Sequence, residues 1–355
     1  CPVAGAIVKS VSTILARIPG IPIFYFHLPK LNTGTILTLH VLRKIQVSTG
    51  RRIVVISSWP FWPSETAQDK LFTSFVNGLT PKFHYIWIPV RIQNSVRSLL
   101  SFSARLVQRH DDLYRHVGLT STFRYGNSST MLHVDILNRG NRVPMQIPRS
   151  HEQALESEMK SLGVPQGGWF VCAHAREHGW IKILNAYNLQ MPAGYRHEQE
   201  DHRNVDIEDY YPAFEYIVSM GGTVIRMGDP SMKPVVGMKG VIDYPFTEQK
   251  SFYMDLYLVS RCLFVLGCNS GFSDFAEAFC VPVLQTNMTA PANSARFPYS
   301  NNIFMFQHIL ENTTDRKLEL HHIFDSGLIT TNDPFHFAEL GYRTLANSPE
   351  DILEA

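Results

Sequence analysis

Short unbroken apolar runs, each followed by a stretch of helical periodicity, recur along this chain. In the first part they stand at 22–26, 52–57 and 83–88, with helical character at 35–46, 65–77 and 92–108. In the second part they stand at 169–173, 223–226, 241–242, 262–267 and 282–285, with helical stretches at 151–162, 207–220, 251–260 and 273–280. A strand covered by helices on both faces reads as a continuous apolar run, whereas a half-exposed antiparallel strand alternates. The pattern therefore predicts an α/β chain of two Rossmann-like doubly wound domains with parallel sheets. A length of 355 residues suits two such domains. The breaker-rich stretch 138–150 lacks periodicity and is the expected linker. The domains are accordingly placed at 1–150 and 151–355, the last helices being expected to pack back on the first domain.

Composition narrows the partners. Lys+Arg 32 against Asp+Glu 31 gives a formal net charge of +1, so the chain carries no global field for nucleic acid. The cysteines, at 1, 172, 262, 268 and 280, form no CxxC pair and lie mostly in apolar stretches. They read as reduced core thiols of a cytoplasmic protein rather than a disulfide framework. No apolar run reaches the ~18 residues of a membrane span, and no charged–apolar–small leader pattern opens the sequence. Residues 4–18 are amphipathic, with Ile7, Val11, Ile14, Leu15 and Ile18 on one face. A helix packed on its own domain explains them; an interfacial helix making a peripheral membrane contact is the alternative. Asp-x-Asp, P-loop, Gly-x-Gly-x-x-Gly and Gly-x-Ser-x-Gly motifs are absent, which removes support for a metal-dependent transferase of the other common architecture, a P-loop enzyme, a dinucleotide oxidoreductase and a serine hydrolase. Cys172, His174 and His178 have no second half at ligand spacing, so no metal site is expected.

The sharpest chemical signal is the passage from the run ending at Gly267, through Asn269, Ser270, Gly271, Phe272 and Ser273, into a helix bearing Glu277. The first amides of a helix have no partner within it and, with the helix dipole, attract an anion. Gly271 would let the backbone approach such a ligand closely. Glu277, about one turn in, could accept hydrogen bonds from ribose hydroxyls. An ordinary strand–turn–helix, with Ser270 as N-cap and Glu277 on a solvated face, is the alternative. Arg226 closes another run, ahead of the turn Met227-Gly228-Asp229-Pro230, and could take a phosphate; otherwise it would pair with Asp229 or Asp255. Arg176, Glu177 and His178 follow the 169–174 run, where a guanidinium could neutralise a leaving diphosphate and a carboxylate or imidazole could handle a proton. His174 reads as a core histidine. Arg203, within His202-Arg203-Asn204, would reach phosphates or acceptor, or belong to a solvated loop. In the first domain His27 is the candidate acceptor-side base, and Trp59, Phe61 and Trp62 could stack on sugar rings or simply pack a loop.

Ser270-Gly271 with Glu277 and Val281-Pro-Val283 resembles the donor-domain signature of GT-B glycosyltransferases, although Cys280 stands where that pattern often has Gly. His174-Ala-Arg176 is loosely similar to the His-x-Arg motif of GT-B fucosyltransferases. A wider resemblance covers most of 165–290, through His174-Ala-Arg-Glu-His-Gly-Trp180, His202-Arg-Asn204, Tyr211-Pro-Ala213, the string from Gly221 to Met232 and Asp243-Tyr244. These segments are similar to a bacterial family of glycosyltransferases from surface-polysaccharide gene clusters. The resemblance implies a GT-B architecture, with the N-terminal domain on the acceptor side and the C-terminal domain holding a nucleotide-sugar. It implies metal-independent transfer of a hexosyl or N-acetylhexosaminyl group to a glycan, lipid-linked or protein acceptor, without a cofactor, in the cytoplasm or peripheral to the inner membrane. A nucleotide-sugar 2-epimerase and a non-catalytic binding protein on the same fold are the rival readings.

Overall fold

The computed structural model describes residues 23–27, 52–58, 78–88, 142–177, 202–289, 301–326, 328 and 334–355, together with Phe75, Gly50 and most helical positions between 36 and 47. The expectations at 4–18, 92–108, Trp59, Phe61, Trp62 and His178, and for the side chain of His27, lie outside the described residues. Close contacts gather the chain into two units, Cys1–Glu152 with Ala278–Cys280 and Gln153–Glu277 with Val281–Ala355.

In the first unit β1 (Ile23–His27), β2 (Ile53–Ser58) and β3 (His84–Ile88) form a parallel sheet in that order. Ile53, Val54 and Val55 are buried in succession, which is why this strand is written as an unbroken apolar run. Ile36, Leu39 and Leu42, spaced at helical intervals, are fully buried in the same unit.

The second unit is built on a six-stranded parallel sheet of β4 (Phe170–His174), β5 (Thr223–Arg226), β6 (Val241–Asp243), β7 (Val265–Gly267), β8 (Val283–Met288) and β9 (Ile303–Phe306). The spatial order is β6-β5-β4-β7-β8-β9. Counted within the unit this is 3-2-1-4-5-6, the doubly wound Rossmann order, and the α/β class read from the sequence is what folds. Crossover reverses direction between β4 and β7, which pair directly through Cys172↔Val265 and His174↔Gly267. The connections carry α1 (Arg149–Ser161), which leads into β4, α2 (Tyr211–Ser219), α3 (Phe252–Arg261) and α4 (Ser273–Phe279).

Local chemistry sets the boundaries. The helix expected at 207–220 is divided: a tight turn at Ile207–Tyr210 precedes α2, whose first turn holds Pro212. Proline donates no N–H, so a continuous helix through 207–212 would lack a bond there. Asp206 stands at the expected cap position, but its side chain makes no cap bond. α2 stops in a Schellman motif: Gly221 has φ +84°, its N–H bonds to Val218 O at 3.0 Å, and that of Gly222 to Ile217 O at 3.0 Å. β7 is shorter than its apolar run because Cys262 still caps α3, although Leu263 N–H reaches Phe170 O at 2.8 Å. Beyond β9 the chain adds an antiparallel pair, β10 (His308–Glu311) and β11 (Tyr342–Leu345), with α5 (Leu320–Asp325) and α6 (Pro334–Glu339) over a small core of Ile309, Ile323, Leu328 and Phe337. α7 (Pro349–Glu354), closed by a Ser348–Asp351 capping box, packs on α2 within the same unit. No position after β8 was read from the sequence; of this stretch only last helices packing back on the first domain were expected. Among the described residues no helix is long and apolar enough to cross a membrane.

Candidate functional site

In a doubly wound sheet, neighbouring crossovers leave on opposite faces at the switch point and open a crevice beyond the strand C-termini. Here that place is bordered by the ends of β4 and β7. The two chain ends are tied together: Cys268 N–H bonds to His174 O at 3.3 Å, and Arg176 N–H to Cys268 Sγ at 3.1 Å. Burial and hydrogen bonding act oppositely on the Cys268 thiol, and burial prevails, pushing it up against the pull of the Arg176 amide and the Arg203 and Arg176 cations.

Two guanidinium groups are held at this edge. Arg176, 7% exposed, donates through Nη1 to Asn204 Oδ1 at 2.7 Å. Arg203 forks onto the carbonyl of Asn269, from Nε at 3.1 Å and Nη2 at 2.9 Å. The backbone beside each of them is fixed, since Val205 N–H bonds to Arg176 O at 3.0 Å and Gln307 Nε2 donates to His202 O at 2.7 Å. Asn269 is steadied by its own amide, which donates to Thr289 Oγ1 at 3.0 Å. Thr289 follows a break in β8, where Asn287 takes φ 55° and exchanges bonds of 2.7 Å with Asn347 in both directions. Thr289, Gln307, Asn287 and Asn347 escaped the sequence reading, whereas Asn204 stood in the His202-Arg203-Asn204 segment read from the sequence.

His174 ends β4 and lies under Ser270. Its Nδ1 is 3.1 Å from Ser270 Oγ, and its ring stacks on Phe272 with centroids 4.9 Å apart and an interplanar angle of 8°. Burial, then the nearby cations of Arg226, Lys250 and Arg176, lower its pKa to about 3, so the ring is neutral at neutral pH.

Several expectations require correction. Arg226 is not presented to a ligand. It is fully buried and bonds to Asp243 Oδ1 at 3.0 Å, Glu177 Oε1 at 3.2 Å and Lys233 O at 2.8 Å. The partners differ from those proximity in sequence suggested: Asp255 instead pairs with Lys250, through both oxygens at 2.6 Å, and Asp229 accepts from Ser231 N–H at 2.8 Å. Glu177 is equally committed, its second oxygen accepting Lys233 N–H at 2.8 Å, so both of its oxygens are engaged within the framework. Gly228 has φ 144°, and a Cβ there would lie 2.3 Å from Met232 Sδ, so it shapes the Met227–Pro230 turn. The array of open amides is narrower than expected. α4 has seven residues, and three amides at its start close local turns: Phe272 to Ser270 Oγ at 3.3 Å, Asp274 to Gly271 O at 3.1 Å and Phe275 to Phe272 O at 3.0 Å. Side chains must therefore supply most of the attraction for an anion. Every residue of α4 is buried, Ser273 and Glu277 included, so Glu277 is not on a solvated face. Cys280 does occupy a glycine-like position, with φ 57°.

Among the described residues no group of three or more His, Cys, Asp or Glu side chains comes together to hold a metal ion. No family model matches the chain, and no curated protein matches it. Among solved structures it is similar to a glycosyl transferase family 9 protein of Veillonella parvula, at 12% identity, covering 94% of this chain and 95% of that one with a TM-score of 0.48. An Escherichia coli ADP-heptose LPS heptosyltransferase II matches at 12% identity over 81% of this chain and 90% of its own, with a TM-score of 0.42. A UDP-GlcNAc 2-epimerase of Methanocaldococcus jannaschii matches at 12% identity over 91% and 78%, with a TM-score of 0.27. Likenesses of this degree assign the chain neither a family nor an activity.

Proposed function

We propose that this protein is a glycosyltransferase of GT-B type that transfers a sugar from a nucleoside-diphosphate sugar to a glycan, lipid-linked or protein acceptor. One observation carries the reading: the 3-2-1-4-5-6 sheet reverses between β4 and β7, and at that reversal Arg176, Arg203, Asn204, Asn269, Ser270 and His174 are gathered. An anion bound outside these strand ends meets two guanidinium groups in a setting of low dielectric.

In the reaction, an acceptor hydroxyl attacks the anomeric carbon, the bond from that carbon to the diphosphate oxygen breaks, and the nucleoside diphosphate leaves with the electron pair. Arg176 and Arg203 stabilise the charge that develops on the diphosphate, the task a divalent ion performs in metal-dependent transferases. Fixed donors aimed at a developing charge are worth roughly 10²–10³ in rate each. The proton of the acceptor passes to a base, for which His27, the candidate read from the sequence, is our choice. Glu277 is assigned to the ribose and the turn containing Gly228 and Asp229 to the nucleobase side. The surface-polysaccharide resemblance of 165–290 supports a glycan-building role.

A thermal-shift panel of UDP, GDP, CDP, dTDP and ADP tests the proposal. One diphosphate is expected to raise the unfolding midpoint, with a stabilisation of about 2.7 kcal/mol at a hundredfold excess over Kd, and Arg176→Ala is expected to abolish the shift. A panel without response, or a response that survives Arg176→Ala, overturns it. Incubation of the nucleotide-sugar without acceptor separates the epimerase rival, which would release a free epimer.

A further inference from the structure

His174 is an ionisable group at the strand reversal that the reaction above leaves without a task. Its geometry is more determined than a core histidine needs. Ser270 Oγ accepts the amide N–H of Phe272 at 3.3 Å and lies 3.1 Å from His174 Nδ1. When that hydroxyl gives its single proton to Nδ1, its oxygen still accepts the Phe272 amide. The imidazole then carries its own proton on Nε2. Parallel stacking against Phe272 holds the ring plane, which fixes the direction of its N–H. The residue occupies the last position of β4, in register with Gly267 of β7, at the reversal of the sheet.

We infer that His174 binds the diphosphate of the donor substrate as a neutral imidazole, donating its Nε2–H to a phosphate oxygen, with Ser270 setting the tautomer. This rests on the nucleotide-sugar reading and names a further binding residue within it. The physical advantage lies in the surroundings. Arg226, Lys250 and Arg176 already place positive charge on the ring's environment, and burial opposes a further cation. A neutral donor adds a hydrogen bond to the anion without adding repulsion to the empty site. Because the ring does not ionise near neutrality, it keeps its donor and its tautomer throughout the physiological pH range. Ser270, expected from the sequence to cap a helix or face the ligand, acts here through the histidine.

The test uses the full chain and the five nucleoside diphosphates of the panel above. In 15N-histidine spectra of the wild type, the His174 ring should show the Nε2–H tautomer, and the responding diphosphate should shift its Nε2–H resonance while the matching nucleoside leaves it in place. By calorimetry, His174→Phe, which keeps an aromatic ring against Phe272, should weaken the diphosphate at least tenfold and the nucleoside less than twofold. His174→Gln, which restores an amide N–H, should recover most of the loss. An Nδ1–H tautomer, an unmoved Nε2–H resonance, or equal losses for diphosphate and nucleoside would overturn the inference. If the wild type binds diphosphate and His174→Phe binds it as well, this inference alone fails; if the wild type binds none of the five, the nucleotide-sugar reading fails with it.

Discussion

Burial decides the behaviour of individual side chains here more than residue type does. His174 takes up a proton in the folded protein only near pH 3, but in the unfolded chain near 6.5. The unfolded state therefore binds more protons as the pH falls through that interval, and folding stability is lost with it, at about 1.4 kcal/mol per unit. Between pH 7 and pH 5 the wild type should lose about 2 kcal/mol more than His174→Gln, measured from urea midpoints; parallel losses would show that the ring is not buried neutral. Cys280 illustrates a backbone effect. It ends α4 at φ 57° while Val281 N–H reaches back to Ala276 O at 2.9 Å, the geometry in which glycine is preferred. Cys280→Gly should raise stability by about 1 kcal/mol, the steric cost of a Cβ in the left-handed region, and an unchanged or lower denaturation midpoint would contradict this. The sequence showed that a cysteine replaced a glycine in the resembled pattern, but only the dihedral angle shows that the turn kept its shape.

At the level of elements, the clamp around Arg226 joins three parts of the second unit. Arg226 of β5 is the register partner of Asp243 of β6, and Glu177 comes from just beyond β4. Removing one partner of a buried ion pair leaves charge without compensation, at roughly 3–5 kcal/mol. Asp243→Ala should therefore cost about 3 kcal/mol in chemical denaturation, whereas Asp229→Ala, which only opens a turn, should cost less than about 1 kcal/mol. Equal effects would mean that the clamp does not carry the strand ends. The pairing was illegible in the sequence because parallel neighbours are brought into register by a crossover, and a separation of 17 or 49 residues gives no hint of contact. The strands of the two parallel sheets other than β9 were legible as short apolar runs, which in β4, β5 and β7 are buried throughout. β9, β10, β11 and the short helices α5 to α7 were not: their faces are partly exposed, and Ile303, Leu320, Phe324 and Leu345 stand about half exposed, which blurs both periodicities.

Across the whole molecule, acidic and basic residues nearly cancel, yet cations concentrate at the strand reversal. Attraction for a diphosphate should thus be local. Raising salt from 0.05 to 0.5 M shortens the screening length to a few ångströms, and should weaken binding of the responding diphosphate severalfold in calorimetry while leaving the matching nucleoside unchanged; equal responses would place the cations outside the site. The amino-acid order by itself settled the α/β class, most strands of the parallel sheets and the segments that border the reversal, since those follow from short-range hydrophobic pattern and turn chemistry. Which charged groups lock the framework was decided by folding. Arg176 and Arg226 read alike as arginines near strand ends, and only the tertiary structure shows that Arg226 is locked between two carboxylates distant in sequence, whereas Arg176 donates to Asn204.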